Sequence, residues 1–164
     1  MLAGTALAAL LVSCGPEKII PPGTQVKISN VEPRRDVNGN IIDAHDGCLQ
    51  FFAGRFYLYG TAYGTNDGWG TVNRYRVYSS PDLGKWTLEG DLLTHQPKGV
   101  YYRPYVVFNP GTKKYVLWYN WYPQGWAGAE GVAVSDTPVG PFTIVDTNVL
   151  QSFAKIQPGA GTWS

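Results

Sequence analysis

Short runs of apolar and polar residues recur along the chain, separated by turn-forming Gly, Pro and Asn residues. The runs lie at 47–52, 55–60, 73–79, 105–109, 114–120, 131–135 and 142–145. Turn signals between them include Ala53-Gly54 and Asn109-Pro110-Gly111. No segment shows a convincing helical period. Aromatic residues, which favour strands, are plentiful, with 6 Trp, 11 Tyr and 6 Phe. The pattern predicts an all-β protein.

The strand pattern also repeats. The segment "VYSSPDLGKWT" at 77–87 aligns with "AVSDTPVGPFT" at 133–143, an offset of 56 residues, and "FFAGRFYLYG" from Phe51 corresponds to "FNPGTKKYVLWY" from Phe108. A unit of about four strands at this period indicates a β-propeller blade. Two blades account for 43–150, whereas propellers close with about four to eight. We therefore expect a partial β-propeller at 26–164, the alternative being an open pair of sheets.

The N-terminus differs in character from the rest. Residues 1–12, "MLAGTALAALLV", form an apolar run that is too short to span a bilayer and is typical of a secretory signal. The following "LVSCG" resembles a bacterial lipoprotein cleavage box, with Cys14 as the lipidated residue. No Lys or Arg precedes the run, so either the start lies upstream or the segment is something else. We expect a signal segment at 1–14, a linker at 15–25 and an exported protein, secreted, periplasmic or lipid-anchored at the cell surface.

Charge, cysteine and histidine content argue against nucleic-acid binding and zinc catalysis. The formal net charge is +1, from 13 basic and 12 acidic residues, so the chain has no electrostatic footprint for nucleic acid. Cys48 falls in a predicted strand, where a buried, unreactive thiol is expected, and pairing with Cys14 requires that the signal stays attached. Only His45 and His95 are present, which makes zinc catalysis improbable. No phosphate-binding loop and no nucleophile elbow is recognisable.

Polar residues cluster just before the first strand. Asp43, His45 and Asp46 precede the run at 47–52. A strand that begins beside a propeller axis places its first residues at a central pocket, so Asp46 would face that pocket. The alternative is that the Asp46 side chain caps a turn at Gly47 through an Asx interaction with the backbone.

Four segments carry a resemblance to a known family. They are "HDGCLQFFAGRFYLYGT" at 45–61, "VYSSPDLGKWTLEG" at 77–90, "RPYVVFNPGTKKYVLWY" at 103–119 and "VAVSDTPVGPF" at 132–142. Together they resemble the first two blades of glycoside hydrolase family 43, over about 43–145. The resemblance implies a five-bladed propeller and an inverting glycosidase in which Asp46 stands where the general base would be.

Inverting hydrolysis needs two carboxyl groups, about 6.5–9.5 Å apart, as acid and base. The resemblance places a second Asp, which tunes the acid, in the third blade and the acidic Glu in the fourth. Only Asp46 is carried over, so the chain alone is predicted to be inactive. Two other glutamates could in principle be the missing acid. Glu130 precedes an inner-facing strand and stays a candidate, whereas Glu89 falls in an outer-strand region, far from the propeller axis.

Other residues are candidates for sugar contacts. Arg103 begins the innermost strand of the second blade, as Asp46 does in the first. In some relatives a Glu precedes this Arg-Pro pair, but here the position is Tyr102. Asp43 and His45 are weaker candidates as pocket neighbours.

The aromatic cluster "WYNWYPQGW" at 118–126 is consistent with sugar stacking or with core between the blades. Strand alternation puts Trp118 and Asn120 on one face and Tyr119 and Trp121 on the other. Asn120 is therefore expected to contact a ligand, and Trp126 to cover the pocket.

The leading hypothesis is a family-43-like glycosidase acting on an arabinan, xylan or galactan. The rivals are a non-catalytic carbohydrate-binding propeller and a surface lipoprotein with a structural propeller. The expected partner is a polysaccharide or oligosaccharide, with possible membrane attachment through a lipid on Cys14 and no nucleic acid. This chemistry requires no cofactor. The sequence does not indicate whether a structural calcium ion is bound or which oligomeric state forms.

Overall fold

The computed structural model describes residue 23 and residues 25–29 and 31–149. The predicted signal segment with Cys14, and most of the predicted linker, lie outside these residues. The described part contains eight strands: β1 (His45–Phe52), β2 (Arg55–Ala62), β3 (Arg74–Ser80), β4 (Thr87–Asp91), β5 (Val100–Asn109), β6 (Lys114–Gln124), β7 (Ala127–Ser135) and β8 (Thr143–Asp146). They form two four-stranded antiparallel sheets in the orders β1-β2-β3-β4 and β5-β6-β7-β8. The all-β class and the two blades are confirmed.

The predicted turns also form, each for a local reason. Ala53 and Gly54 both have left-handed φ angles, 47° and 86°, which suits the two-residue hairpin between β1 and β2. In the second blade, the Asn109 side-chain oxygen accepts hydrogen bonds from the backbone N–H groups of Gly111 and Thr112. Asn is favoured at such positions because its side chain can replace a backbone acceptor.

The core lies between the two sheets and is rich in tyrosine. Its buried residues alternate along the strands, as with Leu117, Tyr119 and Trp121 of β6. Two buried tyrosines also join the sheets through their hydroxyl groups. The Tyr59 hydroxyl donates to the Pro138 carbonyl oxygen at 2.7 Å, and the Tyr75 hydroxyl lies 2.9 Å from the carbonyl oxygens of both Tyr102 and Asn120. These contacts satisfy the polar tips of large buried rings.

The sheet faces that point away from this core expose large apolar side chains. Leu49 and Phe51 of the first sheet are 51% and 58% exposed, and Tyr105 and Trp118 of the second are 50% and 39% exposed. Propeller blades normally pack on neighbours at both faces, so these surfaces fit a partial propeller. Within the described residues, no helix is long and apolar enough to cross a membrane.

Candidate functional site

The innermost strands of the two blades carry matching irregularities. In β1, His45 pairs with Thr61 and Cys48 with Tyr59, so two residues bulge opposite one. In β5, Tyr102 pairs with Asn120 and the next pair is Tyr105 with Trp118. These β-bulges re-aim side chains and interrupt pairing.

Asp46 and Arg103 occupy the two bulges with left-handed φ angles of 52° and 54°. Such angles cost energy for residues other than glycine, and the cost is larger for Arg than for Asp, whose short polar side chain tolerates them better. The other described residues that share this conformation without being glycine lie in turns: Ala53, Leu83 and Lys113. Asp46 and Arg103 therefore hold equivalent places in the two blades, as their positions in the repeat predicted, while their left-handed backbone was not predicted.

Both bulges open into one cleft of about 360 Å³ between the blades. Its walls come from both sheets and combine carboxylates, one guanidinium, one amide and several rings: Asp46, Tyr63, Asp67, Gly68, Trp69, Tyr102, Arg103, Asn120, Tyr122 and Trp126. Aromatic rings with a few polar groups are typical of small-molecule sites. Four predicted site residues thus meet in the cleft: Asp46, Arg103, Asn120 and Trp126.

The Asp46 carboxylate is held by Tyr63. The Tyr63 hydroxyl donates to Asp46 Oδ2 at 2.5 Å. Burial is the main cause that raises the pKa of Tyr63, and its hydrogen bond to Asp46 adds to the effect. The phenol therefore stays protonated and remains a donor at neutral pH.

Asp43 and His45 lie behind Tyr63 and do not line the cleft. The Asp43 carboxylate accepts from the backbone N–H groups of Tyr63 and Gly64 at 2.9 and 2.8 Å. The His45 ring stacks on Tyr63 with a centroid distance of 4.1 Å and a 2° interplanar angle, and its Nε2 is 3.3 Å from Asp43 Oδ1. Their predicted sugar contacts stay predictions, while their observed contacts fix the Tyr63 loop.

An aromatic wall forms the opposite side of the cleft. Trp69, from the connection between β2 and β3, stacks on Trp126 of the β6–β7 hairpin at 4.1 Å. Tyr122 and Tyr102 contact the same Trp69 ring at 5.2 and 6.1 Å. Trp126 is 81% exposed, so one face of its indole is open to a ligand.

The polar floor comes from the second blade. Asn120 Nδ2 donates to Glu130 Oε1 at 3.2 Å and to the Ala129 carbonyl oxygen at 3.3 Å, while Asn120 Oδ1 is buried without a partner. Burial raises the pKa of Glu130, and the Asn120 hydrogen bond and Arg103 charge partly oppose that rise. The Arg103 guanidinium has no hydrogen-bond partner in the described part of the chain and is exposed.

The alternation predicted for β6 is present in the structure. Tyr119 and Trp121 are buried between the sheets, whereas Trp118 is exposed and Asn120 is half-buried. Glu89 lies on the outermost strand β4, where Ser79 Oγ donates to its Oε1 at 2.5 Å. Cys48 is a half-buried free thiol, and burial raises its pKa.

Sequence reasoning missed Tyr63, Asp67 and Trp69, all in the connection between β2 and β3. A signal was present. Trp69 and Trp126 follow Gly68 and Gly125 and are 57 residues apart, the same spacing as Asp46 and Arg103. Among residues 25–29 and 31–149, no group of three or more His, Cys, Asp and Glu side chains could hold a metal ion.

Comparison with known proteins supports the family resemblance through structure. No protein-family model and no curated protein matches the chain. A GH43 β-1,3-galactosidase structure is 30% identical with a TM-score of 0.64, and the match covers 74% of this chain and 28% of that one. A second GH43 β-1,3-galactosidase, with galactodeoxynojirimycin, is 32% identical over 73% of this chain and 38% of that one, with a TM-score of 0.63.

An exo-β-1,3-galactanase from Phanerochaete chrysosporium is 28% identical, with a TM-score of 0.64, over 71% of this chain and 28% of that one. The chain therefore spans between 28% and 38% of the lengths of these three proteins. The eight strands, the two blades and these matches agree with one another. The described part of the chain forms two blades of a β-propeller and is similar in structure to glycoside hydrolase family 43 proteins.

Proposed function

We propose that this chain supplies the first part of the active site of an inverting glycosidase, with Asp46 as the general base. One observation carries the proposal. Outside the turns, the described residues other than glycine with left-handed φ are Asp46 and Arg103, and both open into the same aromatic-walled cleft. Backbone strain of this kind is retained where the surrounding structure holds it and is concentrated at functional sites.

The role of Asp46 follows from its free oxygen. Oδ2 accepts the Tyr63 hydroxyl, which leaves Oδ1 to accept a proton from water as that water attacks the anomeric carbon. The proton goes to Asp46, the water oxygen forms the new bond, and the glycosidic oxygen leaves with a proton from a separate acid. By the family resemblance, that acid and the Asp that tunes it belong to blades beyond these two.

The other cleft residues suit a neutral sugar. Trp126 offers an open indole face for stacking on a sugar ring, and Arg103 and Asn120 offer hydrogen-bonding groups to hydroxyls. Asp43 and His45 act in this proposal by holding the Tyr63 loop rather than by touching the sugar.

A galactan is the favoured substrate class among the arabinan, xylan and galactan alternatives. The matched structures are β-1,3-galactosidases and an exo-β-1,3-galactanase, at identities of 28–32%. Because the chain spans less than half of each, the substrate is transferred as a proposal and not as a property of the two blades.

A carbohydrate-binding module without catalysis is the second candidate. The large exposed surface of Trp126, stacked on Trp69, favours it, because such a platform binds sugar without any acid or base. Export, with lipid attachment at Cys14, is part of either proposal and is supported by the apolar run at 1–12 and the "LVSCG" box.

The test uses the full-length protein that carries this chain, with β-1,3-galactotriose and with aryl galactosides, arabinosides and xylosides. We expect Asp46→Asn to reduce turnover by about 10²–10⁴-fold while galactotriose binding persists. Asp136→Asn, a surface carboxylate that pairs with Lys114, is the matched control. Unchanged turnover in Asp46→Asn would show that the base assignment is wrong. Binding without turnover, weakened by Trp126→Ala, would favour the binding module.

A further inference from the structure

Tyr63 carries three separate restraints, which together give it a fixed orientation. Its backbone N–H donates to Asp43 Oδ1 at 2.9 Å, its ring stacks flat against His45, and its hydroxyl donates to Asp46 Oδ2 at 2.5 Å. The neighbouring Gly64 N–H binds the second Asp43 oxygen at 2.8 Å. A donor held at its main chain, ring and hydroxyl loses little further freedom when it binds a carboxylate.

From this geometry we propose that Tyr63 is the positioning residue of the Asp46 base, an inference that rests on the proposed function. Its hydroxyl occupies Oδ2 and so selects Oδ1 as the oxygen that acts on water. Because Asp46 lies on a bulge, its carboxylate needs a hydrogen-bond donor to fix its orientation. A carboxylate on an exposed, strained bulge rotates about its side-chain bonds unless a fixed donor holds one oxygen.

The contact between Tyr63 and Asp46 has no counterpart in the described part of the second blade. Arg103, the equivalent bulge residue of the second blade, has no comparable side-chain partner among the described residues, so the device is specific to the first blade.

The deciding variant is Tyr63→Phe, which keeps the ring that stacks on His45 and removes only the hydroxyl. In the full-length protein we expect kcat/KM for β-1,3-galactotriose to fall about ten- to one-hundredfold, the range for a hydrogen bond to a charged group. The loss falls on kcat while KM changes little, because the hydroxyl holds the base and does not touch the sugar. Tyr119→Phe, which deletes a buried hydroxyl outside the cleft, is the matched control and leaves both quantities unchanged.

A second measurement needs no turnover and is made on the same full-length proteins. NMR side-chain couplings report the χ1 rotamer of Asp46, and we expect a single rotamer in the parent and averaged couplings in Tyr63→Phe. Equal couplings in the two proteins, or a Tyr63→Phe protein whose kcat and KM match the parent while Asp46→Asn is inactive, would overturn the positioning role alone. If Asp46→Asn is itself fully active, the base assignment fails and the Tyr63 proposal fails with it.

Discussion

The two blades place equivalent residues in the same strained conformation but hold them in different ways. In the first blade the side chain is held, because the Tyr63 hydroxyl binds Asp46 Oδ2. In the second blade the backbone is held, because the Tyr75 hydroxyl lies 2.9 Å from the carbonyl oxygen of Tyr102, the residue before Arg103. The Arg103 side chain is left exposed. The same backbone conformation thus places a hydrogen-bonded carboxylate and an exposed cation at the same cleft.

The difference indicates how each residue would act. A base must meet one water at one angle, so a fixed carboxylate suits it. A cation that contacts sugar hydroxyls acts over a range of positions, and a long exposed side chain provides that range. The second blade therefore needs a fixed backbone more than a fixed side chain.

The largest effect on stability is expected from Tyr75→Phe. The buried hydroxyl faces two carbonyl oxygens, of Tyr102 and Asn120, which would lose a donor in the interior. We expect a loss of about 1–3 kcal/mol in the free energy of unfolding, measured by urea denaturation. Tyr119→Phe removes a buried hydroxyl that already lacks a partner and should be neutral or stabilising. Equal effects of the two variants would mean that the second bulge does not depend on Tyr75.

Smaller effects are expected from glycine at the bulges. Arg103→Gly removes the left-handed strain and should stabilise the fold by about 1 kcal/mol, whereas Arg103→Ala keeps the strain and should not. Asp46→Gly relieves a smaller strain, because Asp tolerates left-handed φ better than Arg, and it loses the Tyr63 hydrogen bond, so it should stabilise less than Arg103→Gly. Thermal unfolding of the three variants gives the order. A greater gain for Asp46→Gly would remove the proposed difference between the blades.

The smallest effect concerns the pH dependence of stability through Glu130. Burial raises the pKa of this carboxyl above its ordinary value of 4.5 in the folded protein, so the folded state binds its proton more tightly. Stability therefore falls as pH rises from about 4.5 through the raised pKa. Glu130→Gln should remove that decline, which makes the variant relatively more stable at pH 7 than at pH 4.

Arg103 provides the internal check on this prediction, since its charge opposes the rise in the pKa of Glu130. In an Arg103→Gln background, the gain from Glu130→Gln at pH 7 should be larger than in the parent. No change between the two backgrounds would show that the Arg103 guanidinium does not act on Glu130.

Much of the fold was predictable because the strands carry strong local patterns. The seven predicted strands are confirmed, with ends that differ by several residues. β4 was not among the predicted runs, although Glu89 was placed in an outer-strand region, because Thr87–Asp91 is a short edge strand with little apolar alternation. The beginning of β5 was placed late, at 105 instead of Val100, because Pro104 interrupts the pattern. A proline is tolerated there because the bulge removes the need for its N–H.

The site was predictable only in part. The repeat and the strand starts identified Asp46 and Arg103, and alternation along β6 identified Asn120. Tyr63 and Trp69 were missed because their positions depend on the path of a connection, which is fixed by Asp43 and not by any strand pattern. Periodicity describes side chains within a strand and carries no information about which loop reaches across a cleft.

The cleft walls have a mechanical consequence, because they come from two different sheets. A sugar that contacts Asp46 on one sheet and Asn120 on the other would act as a cross-brace between them. At a concentration one hundred times its Kd, such a ligand would add about 2.7 kcal/mol to the cohesion of the pair. Bound substrate would then stabilise the contact between the two sheets that form its binding site.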